Sequence, residues 1–233
     1  MKKVFSFSVL IVLIMMTFEG YASDKTKAKT HLFILSGQSN MRGMNPAPFI
    51  ALVEKEYGAE KVIIAKNAKN GAGIDNWVKQ GGRRPNRFYA NFINIIKQKK
   101  ANRKVDTVTL CWMQGETDAG KGMVGSYESK FNKLITLLKK DLGIDKINFV
   151  IGRICDWKLK GHGDLSKNIQ KMRELQVKIA DKVDNAAWVD CDDLNNKTNK
   201  KGQKYDDLHY TSEGYKKLAE RFAEKSIALI NAN

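Results

Sequence analysis

The sequence predicts an α/β sandwich built on a mostly parallel sheet. Two patterns carry the prediction. Short, nearly all-apolar runs recur along the chain, and longer amphipathic stretches separate them. Strand–helix alternation of this kind packs helices against a parallel sheet. The strand candidates are residues 31–36, 61–65, 107–113, 147–153 and 187–191. None shows a clean polar/apolar alternation, as expected of parallel strands buried on both faces. Between them, Phe88, Phe92, Ile95 and Ile96 fall at helical spacing, as do Tyr127, Phe131, Leu134 and Leu138. Ile169, Met172, Leu175 and Ile179 form a third such set, and Tyr215, Leu218 and Phe222 a fourth. Ser126 precedes one helix, and Thr211-Ser212-Glu213 supplies N-cap chemistry to the last.

The chain has 233 residues, 42% of them hydrophobic, which suits one domain with a real core. Its start reads differently. Lys2 and Lys3 precede an apolar run from Val4 to Phe18, and Gly20-Tyr21-Ala22 offers small residues at a cleavage site. The run is shorter than the roughly 20 residues that a membrane span needs. Residues 1–22 therefore read as a signal peptide, with 23–233 as the mature domain, exported to the periplasm or beyond. Cys111, Cys155 and Cys191 are odd in number, far apart and set in or beside strands, so buried free thiols are expected rather than a disulfide framework. No Cys/His cluster suggests a zinc site. The net charge of +16 favours anionic partners. The lysines are spread along helices without interleaved aromatics, and no nucleic-acid motif appears, so nucleic acid is not expected as a partner.

In open α/β sheets, ligands gather beyond the carboxyl ends of the strands. Four polar segments fall there. They are Gly37-Gln38-Ser39-Asn40, "NAKNGAGIDNW" from Asn67 to Trp77, "QGETD" from Gln114 to Asp118, and "YDDLHYTSEGY" from Tyr205 to Tyr215. Acyl transfer fits this set. A serine needs a base to take its proton, and a carboxylate to orient that base. Of three histidines, His31 opens a strand at its amino end and His162 lies in "KGHGD". His209 has Asp206 three residues before it and a helix start after it, and Asp207 competes as the orienting acid. Oxyanion donors come from the Ser39 N–H, a glycine N–H at Gly71 or Gly73, and the side-chain amide of Gln114. Among the aromatics, Trp77, Tyr89, Trp112 and Trp157 could stack on sugars or pack in the core. Trp112 lies within an apolar strand and reads as core. Trp157, after the fourth strand, is the better sugar platform, with His162 in the same loop.

In this order, "GQSNM", "NGAGIDNW", "QGETD" and Asp206-x-x-His209 resemble the SGNH (GDSL-like) hydrolases. The closer resemblance is to the branch of sialate O-acetylesterases and family 6 acetylxylan esterases. It runs from His31 to the last helix. It implies a three-layer α/β/α, flavodoxin-like fold with a five-stranded parallel sheet in the order 2-1-3-4-5. It also implies a catalytic Ser39, Asp206 and His209, and an oxyanion hole from Ser39, Gly71 and Gln114. Where the family usually has Gly-Gly-Thr, this chain has Asn70-Gly71-Ala72, so Gly73 stays open as the alternative to Gly71. Gln38 belongs to the nucleophile motif. Glu116 is typical of the branch and is expected to organise the loops through backbone or Arg42. No metal and no organic cofactor is implied. The implied substrate is an acetylated carbohydrate, and the positive charge favours an acidic glycan. Two rival readings remain, a GDSL-type lipase or thioesterase acting on longer acyl chains and a non-catalytic secreted glycan-binding protein.

Overall fold

The computed structural model describes residues 29–78 and 87–232, and the expected signal peptide lies outside them. The five expected strands are all present: β1 His31–Gly37, β2 Val62–Ala68, β3 Thr107–Met113, β4 Asn148–Gly152 and β5 Ala186–Val189. They form one parallel sheet in the order β2-β1-β3-β4-β5, as the resemblance implied. Every residue of β1 is buried, because this strand lies between β2 and β3 with helices on both sides.

The helices are α1 Ser39–Gly43, α2 Ala47–Tyr57, α3 Asp75–Val78, α4 Arg87–Lys100, α5 Glu116–Gly120, α6 Tyr127–Leu142, α7 Asp164–Asp181 and α8 Ser212–Asn231. On one face α2 packs against α8, with Phe49 edge-on to Phe33 of β1. On the other face, Phe131 of α6 meets Trp112 of β3 and Phe149 of β4, while α4 covers β2 and α7 covers β4 and β5. Trp77 and Trp112 cross edge-to-face, fully buried, so both are core residues. Each finds a polar partner for its indole N–H, Ser36 Oγ at 3.2 Å and Tyr127 OH at 3.0 Å.

Thr211 caps α8 as the sequence suggests, its Oγ1 accepting from the Gly214 N–H at 2.9 Å. Ser126 makes no side-chain cap, and its hydroxyl donates back to the Met123 carbonyl instead. A two-stranded hairpin, β6 Asn196–Thr198 with β7 Lys204–Asp206, was not expected from the sequence.

All three cysteines are buried free thiols. Burial pushes the Cys111 and Cys191 thiols up to about 12, and the Cys155 thiol upward as well. Thiolate is the reactive form. At pH 8 the native protein is therefore expected to resist iodoacetamide at all three positions and to take up three equivalents once denatured. Mass spectrometry reads this directly, and rapid native labelling would contradict the burial.

Candidate active site

The sheet register builds the site. Gly37 at the end of β1 lies level with Ala68 of β2 and Met113 of β3, so the segments that follow all three strands emerge at one edge. A Cβ on Gly37 would stand 1.9 Å from the Met113 carbonyl oxygen, and its φ is +144°. Only glycine lets the chain pass that close to β3 and turn into α1. The next residue locks the turn. Gln38 N–H donates to Met113 O at 2.8 Å, and the buried Gln38 Oε1 accepts from Thr117 N at 3.2 Å and Gly115 N at 3.4 Å. Gln38 is thus a strut joining the first and third loops. Ser39 opens α1, partly exposed. At the other end of that helix, Lys66 Nζ donates to the Arg42 carbonyl at 3.1 Å and to that of Met44. A cation on these last carbonyls stabilises a one-turn helix. Arg42 itself is exposed, and its side chain does not meet Glu116 as the sequence suggested.

Glu116 instead accepts at Oε1 from Asn40 Nδ2, 2.9 Å away. The carboxyl is buried and its Oε2 lacks a hydrogen-bond partner among the described residues. Burial raises its pKa, Asn40 and backbone N–H groups oppose the rise, and the Asp118 charge adds to it.

Gln114 differs most from expectation. It is fully buried, and its Nε2 faces three acceptors: Asp118 Oδ2 at 2.5 Å, Ala72 O at 3.2 Å and Gln38 Oε1 at 3.3 Å. Two amide hydrogens are already outnumbered there, so the side chain braces the glycine loop and has no hydrogen to spare for an oxyanion. Asp118 completes the brace by accepting from Ile74 N at 2.9 Å. Within the loop, Gly71 is exposed in a turn at φ +61°, with nothing within 4 Å of a Cβ, while Gly73 lies against the Asp118 carboxylate. Neither glycine N–H makes a hydrogen bond among the described residues, so both remain possible donors.

His209 projects, exposed, from a loop that is tied on every side. Asp207 N donates to Asn195 O at 3.1 Å, and Thr211 N donates to Leu194 O at 3.1 Å. Buried Asn195 Nδ2 donates to Asp207 O at 2.9 Å and to Asp156 Oδ1 at 3.1 Å. Asn40 Nδ2 donates to Leu208 O at 3.0 Å. That last bond fastens the histidine loop to the serine helix. Among the described residues, Ser39 Oγ, His209 and Asp206 share no direct hydrogen bond. The two acids of the loop differ. Asp207 is engaged by Lys197 Nζ at 2.6 Å and Leu208 N at 2.6 Å, and Lys197 holds its pKa below the usual range. Asp206, exposed at the end of β7, has no such partner among the described residues, and its charge helps burial to raise the pKa of Asp156.

Trp157 is half-buried beyond β4 with Lys158 Nζ 4.5 Å from its ring centroid, and His162 is exposed in the same loop. Gln176 of α7 was invisible to sequence reasoning. It is fully buried, donates to Gln114 O at 2.8 Å and accepts from Ile154 N at 2.9 Å, joining the third and fourth loops.

Residues 45–228 match the model of the family described as carbohydrate esterase, sialic acid-specific acetylesterase. The chain belongs to that carbohydrate esterase family. The matched stretch includes the glycine loop, "QGETD" and the Asp206–His209 loop, and it starts just beyond the Ser39 motif. No curated protein matches the sequence. The esterase is similar in fold to a protein from Arabidopsis thaliana, with TM-score 0.65 and 18% identity over 86% of this chain and 98% of that one. It is also similar to a carbohydrate acetylesterase from Xanthomonas citri, with TM-score 0.65 and 16% identity over 87% of this chain and 57% of that one. A third similar structure is NanS, with TM-score 0.62 and 12% identity over 88% of this chain and 99% of that one.

Proposed function

We propose that this esterase removes O-acetyl groups from carbohydrates through an acyl-enzyme on Ser39. The observation that carries the proposal is the hydrogen bond from Asn40, next to Ser39, to the carbonyl of Leu208, next to His209, at the ligand-binding edge of a carbohydrate-esterase sheet. Ser39 Oγ attacks the acetyl carbonyl while His209 takes its proton. His209 returns that proton to the sugar oxygen as the ester C–O bond breaks. Water then attacks the acetyl-enzyme, His209 takes a proton from it, and acetate leaves as Ser39 regains its hydrogen. The Ser39 N–H and one glycine N–H, from Gly71 or Gly73, face the oxyanion. Gln114 serves by holding that glycine loop through Ala72 O. Asp206 orients His209.

The choice between the two acids is testable. Asp206→Asn is expected to lower kcat by about 10²–10⁴-fold. Asp207→Asn, which removes the charge facing Lys197 but keeps an oxygen to accept from the Leu208 N–H, is expected to stay within about tenfold of wild type. Reversal of the two effects in steady-state assays would assign the orienting role to Asp207.

Small acyl groups fit the site better than long ones, because the loops around Ser39 are polar and glycine-rich ("NAKNGAGIDN", "GETDAGKG") and a lipid chain needs an apolar groove. Trp157 is the proposed sugar platform, with His162 beside it. Among sugars, the excess positive charge favours acidic ones. Export by way of residues 1–22 would bring the enzyme to extracytoplasmic glycans. Acetyl, butyryl and octanoyl 4-nitrophenyl esters test the acyl preference. kcat/KM should fall by at least about tenfold from acetyl to octanoyl, and a rise would favour the lipase reading.

A further inference from the structure

We infer that Asn40 is the positioning residue that sets the distance between Ser39 and His209. This rests on the serine-esterase reading above. The Asn40 side chain is fully buried. Its Nδ2 donates to Glu116 Oε1 at 2.9 Å and to Leu208 O at 3.0 Å, and its Oδ1 accepts from Tyr215 OH at 3.1 Å. A carboxamide has two hydrogens to give, and here both have an acceptor. The orientation of the amide follows from the same contacts, since a main-chain carbonyl can only accept.

The three partners come from three separate parts of the chain: α5 after β3, the loop carrying His209, and α8. Asn40 is covalently next to Ser39, and Leu208 is covalently next to His209. One hydrogen bond therefore spans the shortest bonded route between nucleophile and base. No direct side-chain bond joins Ser39 to His209 among the described residues; Asn195 and Leu194 hold the histidine loop itself, and the Asn40 bond ties that loop to the serine helix. Glu116 orients the amide from α5, and Tyr215 orients it from α8. Glu116 thus acts one step further from the chemistry, through Asn40.

Asn40→Asp keeps the shape and removes both donations, setting a carboxylate against Glu116 and the Leu208 carbonyl. Tyr215→Phe keeps Asn40 and removes only the hydroxyl that holds Oδ1. Each variant would be assayed on 4-nitrophenyl acetate, and its reactive serines would be counted with a fluorophosphonate. Asn40→Asp is expected to lower turnover per titrated serine by about 100-fold, with KM within about threefold, because small misplacements of reacting groups cost this much. One serine per folded chain would still be labelled, more slowly by a similar factor. Tyr215→Phe is expected to lose about five- to tenfold, and it decides the matter if Asn40→Asp does not fold.

A purely structural role would instead reduce the number of titratable serines and leave turnover per labelled serine at the wild-type value. That result, or turnover per labelled serine within about threefold of wild type in the folded variants, would overturn the inference. A wild type that neither turns over the ester nor takes up the label would overturn the serine reading itself, and this inference with it.

Discussion

Replacing Ser39 with alanine is expected to lower turnover of 4-nitrophenyl acetate by about 10⁴-fold or more, with the melting transition nearly unchanged. The kinetic side follows from the role. A nucleophile and its base act as a unit, and loss of either leaves only the catalysis due to binding and the oxyanion donors. The stability side follows from the structure. Ser39 Oγ makes no hydrogen bond among the described residues, so its removal strands no buried donor or acceptor. The turn that presents it is held by other groups: Gln38 N–H on Met113 O, Gln38 Oε1 under the third loop, and Lys66 on the end of α1. Circular dichroism melting beside the assay separates the two effects. Residual activity above about a tenth of wild type in a pure preparation would place the nucleophile elsewhere.

The second large effect concerns stability. Gly37→Ala is expected to cost at least about 3 kcal/mol, among the larger effects of single substitutions. The added Cβ would sit 1.9 Å from Met113 O and 2.5 Å from Met113 C. These are main-chain atoms of β3, the strand paired with both β1 and β4, so no side chain can swing aside to relieve the overlap. The residue would also have to hold φ +144°, which L side chains rarely adopt. Either β1 separates from β3 at the site edge, breaking the Gln38–Met113 bond, or the sheet loses its register there. Urea denaturation of wild type and variant measures the loss, and a change below about 1 kcal/mol would contradict the tight approach of the two strands.

The sheet was legible because its strands are short apolar blocks separated by helical repeats, and burial on both faces requires that composition. Each strand lies within two or three residues of its expected limits. β2 runs on to Ala68, because its polar end, Lys66 and Asn67, still pairs with Leu35 and Ser36. The hairpin of β6 and β7 was not legible. "NKT" and "KYD" are short and polar, and no hydrophobic period marks them. Their pairing brings Asp206 level with Asn196.

The candidate site divides in the same way. Loops delivering Ser39, the glycines, Gln114 and His209 to one edge could be placed from strand order alone. What each polar side chain does there could not, because this depends on which acceptors surround it after folding. Gln114 reads as an oxyanion donor until Asp118, Ala72 and Gln38 are seen around its amide. Glu116 reads as a partner for backbone groups or Arg42 until the Asn40 side chain is found against it. Asn40 stood in the quoted motif throughout. Its role appears only when Leu208, 168 residues later in the chain, lies within 3.0 Å.

Acetate release from acetylated carbohydrates by the wild-type protein tests the central claim most directly. O-acetyl sialic acid, acetylated xylan and an acetylated uronate polymer would be compared, with Ser39→Ala as the blank. The account predicts release from at least one of them by wild type alone, with acidic sugars ahead of xylan. No release from any of the three by folded protein that still cleaves 4-nitrophenyl acetate would contradict a carbohydrate acetylesterase and return the chain to the lipase or thioesterase reading.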